Sequence, residues 1–269
     1  MQKIIVVKYG ELWLKSDPVR RRFEKILKKN IKRELSKTNS NSEILLRNGR
    51  VFLYPEKKLD LSFLKRTFGV VSYAEGLQVR KDMEEIKKAA EKLIRKKKTF
   101  VIRAKRSDKS FQLDSQEIQR TVGMYLESLG HSADIQAPQQ TIRIEIRDQA
   151  YVYSSEAKGP GGMPLGTGGS VNAMLRNEND LAAAWLIMKR GVDCFFVKPN
   201  AKQLKVVSKW IVGRKTMKAT VSAKSKDKIR TLVTSDEIAP AKNKNIILNP
   251  LVGFTDKEKK KLIKKIKKG

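Results

Sequence analysis

The chain is 269 residues long, with 59 Lys+Arg against 28 Asp+Glu, one histidine and a formal net charge of +31. That length suffices for about two domains with real cores, and a cationic excess without a matching rise in Glu points to a polyanionic partner, nucleic acid first. The single cysteine, Cys194, excludes an intrachain disulfide and a cysteine metal cluster. No apolar run approaches the roughly 18 residues of a membrane span, and "MQKIIVVKYGE" is charged too early for a signal peptide, so a cytoplasmic protein with no membrane association and no metal is expected.

The first segment, residues 1–75, alternates strand and helix signals. "KIIVVKY" at 3–9 is a β-branched run, and Asp17–Pro18 opens a helix in cap and first-turn arrangement. Val19, Phe23, Ile26, Leu27, Ile31 and Leu35 recur at helical spacing and leave Arg20, Arg21, Arg22, Lys25, Lys28, Lys29, Lys32 and Arg33 largely outside. Residues 43–55 form two strands around Asn48–Gly49, a short helix follows near 59–68, and a strand near 71–79. The order β-α-β-β-α-β is that of a ferredoxin-like domain.

The second segment, 76–165, begins with an amphipathic helix over 82–97, with Met83, Ile86, Ala89, Ala90 and Leu93 on one face. A strand over 99–107, a helix over 114–130 capped by Asp114 or Ser115, and paired strands over 141–148 and 150–157 follow. From 166 to 269 the pattern becomes strand–helix–strand. Strands are expected near 171–175, 192–197, 229–234 and 245–248, and helices near 179–190, 201–212 and 255–267. This is an α/β layer with a parallel sheet, thin for a doubly wound domain, behind an α+β N-terminal half. Positive charge is in excess in all three segments.

Two stretches carry candidate sites. In "RAKRSDKSF", Arg103 and Lys105 alternate with apolar neighbours on one strand face, and Arg106, Lys109 and Ser110 follow in the loop. RNA helices are read chiefly through phosphates, 2′-hydroxyls and shape, which suits such a strip. The glycines 159, 161, 162, 166, 168 and 169 fit either a flexible linker or a packed turn. In the second case, backbone N–H groups at Gly161 and Gly162, with Lys158 beside them, would take an RNA phosphate. His131 is read as an ordinary surface histidine, Cys194 as a buried strand residue, and "KEKKKLIKKIKKG" as a packed final helix with a solvated Lys face.

"TFVIRAKRSDKSFQLDSQEIQRTVG" followed by "TIRIEIRDQAYVYSSEAKGPGGMPLGTGG" resembles the THUMP domain of the tRNA 4-thiouridine synthases. "KYGELWLKS" and "RTFGVVSYA" resemble that family's ferredoxin-like domain, and "AAAWLIMKRG" and "LNPLVGFTDKEKKKLI" its ATP-binding PP-loop domain. The resemblance implies a THUMP module gripping the acceptor stem of tRNA, and a C-terminal domain that adenylates a uridine for sulfur insertion.

Two departures bear on catalysis. Where the family has Ser-Gly-Gly-x-Asp-Ser, this chain has Arg176, Asn177, Glu178, Asn179, Asp180 and Leu181, with only Asp180 in common. Both glycine positions carry side chains, which makes positive φ costly, and Glu178 brings a carboxylate towards a polyphosphate. Asn177 and Asp180 are what remains of a nucleotide site, and ATP is not expected to bind. Archaeal members also carry Cys-x-x-Cys-Lys-Arg-x-Met, which "WIVGRKTM" at 210–217 resembles, with Trp210 and Gly213 where the cysteines would stand. Sulfur relay through protein thiols needs those cysteines. The expectation is therefore a non-catalytic tRNA-binding relative with no cofactor, acting alone, as a homodimer or with a partner protein. The alternative is a sulfurtransferase working with an altered ATP site or a partner subunit.

Overall fold

The computed structural model describes residues 1–10, 15–37, 42–47, 49–154, 156–214, 217–218, 231–236 and 246–269. Asn48 of the expected hairpin turn, residues 11–14, residues 215–216 of the "WIVGRKTM" stretch, and residues 229–230 and 245 of two expected strands lie outside them. The described residues form two units.

The first unit is built on a sheet of β1 (Gln2–Tyr9), β2 (Glu43–Arg47), β3 (Arg50–Tyr54), β4 (Val70–Val79), β5 (Phe100–Arg106), β6 (Gln140–Ile146) and β7 (Ala150–Ser154). Their spatial order is β2-β3-β1-β4-β7-β6-β5, with β8 (Ala157–Lys158) beside β4. The first four strands lie in the order β2-β3-β1-β4 of a ferredoxin-like sheet. Pairing of Arg47 with Arg50 closes the β2–β3 hairpin, and Gly49 turns it at φ 76°, where a residue without Cβ is unstrained.

Alternate strand residues face opposite sides, so the sheet carries two cores. On one side Ile102, Ile142, Ile144, Ile146 and Val152 meet Ile86, Ala89, Ala90, Ile118, Val122 and Leu126 of α2 (Met83–Leu93) and α3 (Ser115–Ser128). Asp114 caps α3 in a reciprocal box with Glu117. The other side buries Ile4, Val6, Phe52, Tyr54, Ala74, Tyr151 and Tyr153. Strands remote in sheet order meet across this second core. Phe52 stacks on Tyr151 at 4.4 Å, Arg47 pairs with Asp148 at 2.6 Å, and the Tyr54 hydroxyl donates to Gln78 at 2.6 Å. Accumulated twist has rolled the sheet onto itself.

α2 is shorter than the 82–97 expected. It stops at Leu93 because Ile94 is extended and reaches the core from there, and Lys97 turns at φ 62° within the lysine run.

The second unit contains α1 (Asp17–Ser36), a single 3-10 turn (Ser62–Arg66) where a short helix was expected, and an all-parallel sheet. That sheet orders β11 (Met217–Lys218), β10 (Asp193–Val197), β9 (Ser170–Met174), β12 (Thr231–Val233) and β13 (Ile246–Leu248). Around it stand α4 (Glu178–Lys189), α5 (Ala201–Ser208) and α6 (Asp256–Lys268).

Most of α4 is buried, Leu181 through Trp185 and Met188 included, which makes it the central helix of the layer. Trp185 meets Phe68 and Trp210 edge-on, at 5.4 and 5.2 Å. The helix expected over 201–212 ends at Ser208, because Trp210 turns into this cluster and its indole N–H donates to the Ile266 carbonyl at 3.0 Å. Gly213 follows at φ 68°, packed so closely on α1 that a Cβ there would lie 2.0 Å from the Asn30 carbonyl oxygen.

Candidate nucleic-acid interface

β5 is the last strand of the rolled sheet, and its two faces differ sharply. Ile102 and Ala104 pack towards the helices, while Arg103 and Lys105 stand exposed on the other face with no carboxylate partner among the described residues. The loop after β5 is pinned. The Ser107 and Asp108 N–H groups donate to the Ile146 carbonyl, and Asp108 accepts from the Ser110 N–H and hydroxyl at 2.9 and 2.7 Å. Lys81 closes on the other Asp108 oxygen at 2.6 Å and, with Ser110, holds that carboxyl well below its usual range.

Of the five residues expected in this strip, Arg103, Lys105 and Lys109 are exposed cations. Arg106 is turned partly inward, where its guanidinium donates to the Phe111 carbonyl at 2.9 Å and its N–H to Ser115 Oγ. The Ser110 hydroxyl belongs to the turn.

Sequence reasoning missed the neighbouring polar network on β6 and beyond. Arg143 pairs in register with Arg103, but its charge is taken by Glu156 at 2.5 Å, which also accepts from Lys8 and Ser72 at 2.6 and 2.7 Å. Glu145 is buried beneath. Burial alone would raise its pKa, but the Arg50 charge and donors from Tyr153 and Arg147 bring it down to about 2. These contacts link strands far apart in sequence, and nothing in local periodicity signals them.

The glycine-rich run is docked in its own unit. The N–H groups of Gly166, Thr167 and Gly168 all donate to the Gly191 carbonyl at 2.8–3.0 Å, and Met163 N–H donates to the Lys189 carbonyl. Gly161 N–H donates to the Val70 carbonyl; Gly162, at φ 75°, lies so close to α4 that a Cβ would sit 2.2 Å from the Lys189 oxygen. Lys158 is exposed at the mouth of the run. The loop therefore offers a side-chain cation outward and uses most of its backbone donors internally.

The altered loop joins β9 to α4. Asn177 is extended at φ −142° and caps the helix, its side chain accepting from the Asp180 N–H at 2.9 Å. Asp180 is fully buried and accepts from the Arg176 N–H, Nε and Nη2 at 3.0, 2.7 and 3.1 Å, and from the Ser235 N–H and hydroxyl at 3.1 and 2.7 Å. Burial opposes its ionisation, but the Arg176 and Ser235 donors outweigh that and lower its pKa. Arg176 reaches on to Asp236 at 2.8 Å, Asn249 donates to the Asp236 carbonyl at 2.9 Å, and Glu178 pairs with Lys267 at 2.5 Å.

The clasp occupies a telling place. The strand order reverses between β9 and β12, and in parallel sheets ligands enter beyond the carboxyl ends of the strands at such a reversal. Here Arg176 and Thr234–Asp236 close on each other at those ends. A polyphosphate would meet the Asp236 and Glu178 carboxylates, a helix terminus already capped, and an arginine already neutralised.

Cys194 is buried in β10, and burial pushes its thiol up to about 12, far from a nucleophile. Trp210 and Gly213 stand in close packing, as described. The described residues contain no cluster of metal-ligating groups and no helix long and apolar enough to cross a membrane.

A family model described as the ThiI ferredoxin-like domain matches residues 4–74, and one described as the THUMP domain matches residues 80–155. A probable tRNA sulfurtransferase of Thermoanaerobacter pseudethanolicus is 37% identical over 200 residues, 72% of this chain and 52% of that protein. The chain thus spans about half the length of the curated relatives it matches. PH1313 from Pyrococcus horikoshii Ot3 has a solved structure with a TM-score of 0.83 at 25% identity, covering 98% of this chain and 99% of that one. A 4-thiouridine synthetase solved as an RNA complex with bound ATP gives 0.82 at 21% identity, covering 99% of this chain and 85% of that one, a likeness of fold.

Proposed function

Because the chain belongs to the ThiI-like family of THUMP-domain proteins, we propose that it is a cytoplasmic tRNA-binding protein that grips the acceptor stem and does not itself thiolate. The observation that carries the reading is the exposed strip Arg103–Lys105 on the edge strand of the THUMP-matched segment, without a carboxylate partner among the described residues and continued by Lys109. Residues 76–165 provide this grip behind the ferredoxin-like segment 1–75, with Arg106 and Ser110 shaping the loop. Lys158, at the mouth of the Gly161–Gly162 turn, adds a further phosphate contact. Cations held on a strand contact phosphates and 2′-hydroxyls of a helical stem without reading its bases.

The non-catalytic reading is supported by the 166–269 layer, where the Arg176–Asp180–Asp236 clasp lies at the strand ends and the chain's only thiol is buried. On this reading no ATP is bound. Two measurements test it. Affinity for transcribed tRNA should fall steeply with salt, and Arg103→Glu or Lys105→Glu should weaken it far more than Lys260→Glu. Salt-independent binding, or equal effects of the three variants, overturns the grip. In a thermal-shift titration, an intact ATP site at a hundredfold excess of ligand over Kd would stabilise by about 2.7 kcal/mol. No rise with ATP and magnesium is expected. A rise that vanishes in Asp180→Ala would establish a working loop and restore a sulfurtransferase acting with a partner.

A further inference from the structure

We propose that the outward face of α1 is a second phosphate-binding track for the same RNA, separate from the β5 strip. The inference rests on the RNA-binding reading and extends it to a helix that reading does not use. Arg21, Arg22, Lys25, Lys29 and Lys32 are exposed on α1, and none has a carboxylate partner among the described residues. At 3.6 residues per turn, Arg21, Lys25, Lys29 and Lys32 fall within an arc of about 80° and span about 16 Å of helix axis.

The acids of α1 do not relieve this crowding. Asp17 pairs with Arg20 at 2.8 Å, Glu24 accepts from the Tyr9 hydroxyl, and Glu34 accepts from Lys37 at 2.6 Å and from the Gly213 N–H at 3.1 Å. All three are committed within the chain. Like charges at i,i+4 destabilise a helix, so the stripe carries a standing cost that an external polyanion would offset. A groove of about 680 Å³ beside its first turns, lined by Asp17, Pro18, Arg21, Arg22, Lys25 and Ile26, gives a phosphate ridge a concave seat.

A lipid surface would also attract cations, but an interfacial helix needs an apolar face to insert. The apolar side of α1 is already committed, with Leu27, Ile31 and Leu35 all buried. The geometry therefore favours a phosphate polymer over a lipid surface.

The test compares Arg21→Gln/Lys25→Gln/Lys29→Gln/Lys32→Gln with an equal neutralisation on α6, Lys257→Gln/Lys260→Gln/Lys261→Gln/Lys264→Gln. Gln matches Lys and Arg closely in helix propensity, and circular dichroism with a melting curve verifies both folds. Binding of transcribed tRNA is measured across a salt series, where each phosphate contact contributes about 0.7–0.9 to the slope of log K against log salt. The α1 variant should bind about tenfold or more weakly at 0.1 M salt, with a slope shallower by about 3, while the α6 variant changes less than the α1 variant in both. An unchanged slope in the α1 variant, or the same loss in both variants, overturns this inference alone. So does loss of binding to phosphatidylserine-containing vesicles with tRNA binding intact, which would assign the stripe to a membrane surface. Failure of the wild-type chain to bind tRNA overturns the family reading and this inference together.

Discussion

Substituting alanine for Asp180 removes, in one step, the acceptor for Arg176 N–H, Nε and Nη2 and for the Ser235 N–H and hydroxyl. Each buried donor left without a partner costs about 1–3 kcal/mol. The Arg176 side chain is 34% exposed and can turn to water, so its ionic share is discounted. The backbone N–H groups have less freedom, and a total loss of about 2–4 kcal/mol is expected. At about 2–4 °C per kcal/mol, the melting temperature should fall by roughly 4–16 °C. Arg176→Ala should cost less than Asp180→Ala, and the double variant less than their sum, with a coupling of at least about 1 kcal/mol. Acid supplies a second check. The folded pKa of Asp180 is lowered, so its contribution is complete above the unfolded value near 4 and fades as pH falls through the folded one. The gap between wild type and Asp180→Ala should therefore narrow below about pH 4. Thermal and urea unfolding followed by circular dichroism read all of this. A loss below about 0.5 kcal/mol, strict additivity with Arg176→Ala, or a gap constant down to pH 3 would refute the clasp as a structural element.

Glu145→Ala should destabilise the rolled sheet by about 3–5 kcal/mol, since it leaves Arg50 and Arg147 half of a buried network. With a folded pKa of about 2 against an ordinary value of 4.5, the stability from Glu145 holds above the latter and drains away between the two, so Glu145→Gln should flatten acid unfolding there. Gly76→Ala would place a Cβ 2.5 Å from the Val152 carbonyl oxygen and 2.6 Å from Tyr153 Cβ, so urea unfolding should register a loss of about 1–3 kcal/mol. Cys194, with its thiol pushed up to about 12, should resist a thiol reagent at pH 8 in the native chain and react on unfolding; rapid native labelling would contradict its burial.

Much of this molecule could be read locally. The β-branched run at β1, the Pro at the start of α1 and the Asp114 cap of α3 each encode their element within a few residues. The exposed alternation of Arg103 and Lys105 was legible for the same reason. What escaped was pairing at long range. Periodicity says that Tyr151 faces away from Val152 but not that it meets Phe52, and the glycine run reads alike as a tether or as a loop docked on the Gly191 carbonyl. The altered loop was half legible. The missing glycines were visible, but Asp180 finding Ser235 across 55 residues was not.

The arrangement of α1 has a consequence for synthesis. Two of its partners come late in the chain, since Asn30 donates to the Leu165 carbonyl and Glu34 accepts from Gly213, 179 residues further on. At about 5–20 residues per second, a ribosome needs roughly 10–35 s after making α1 before Gly213 exists. During that interval the Asn30 amide and the Glu34 carboxylate stay open to water, while the strands of the other unit emerge between. α1 is thus made well before the two hydrogen bonds that tie it to the later chain can form.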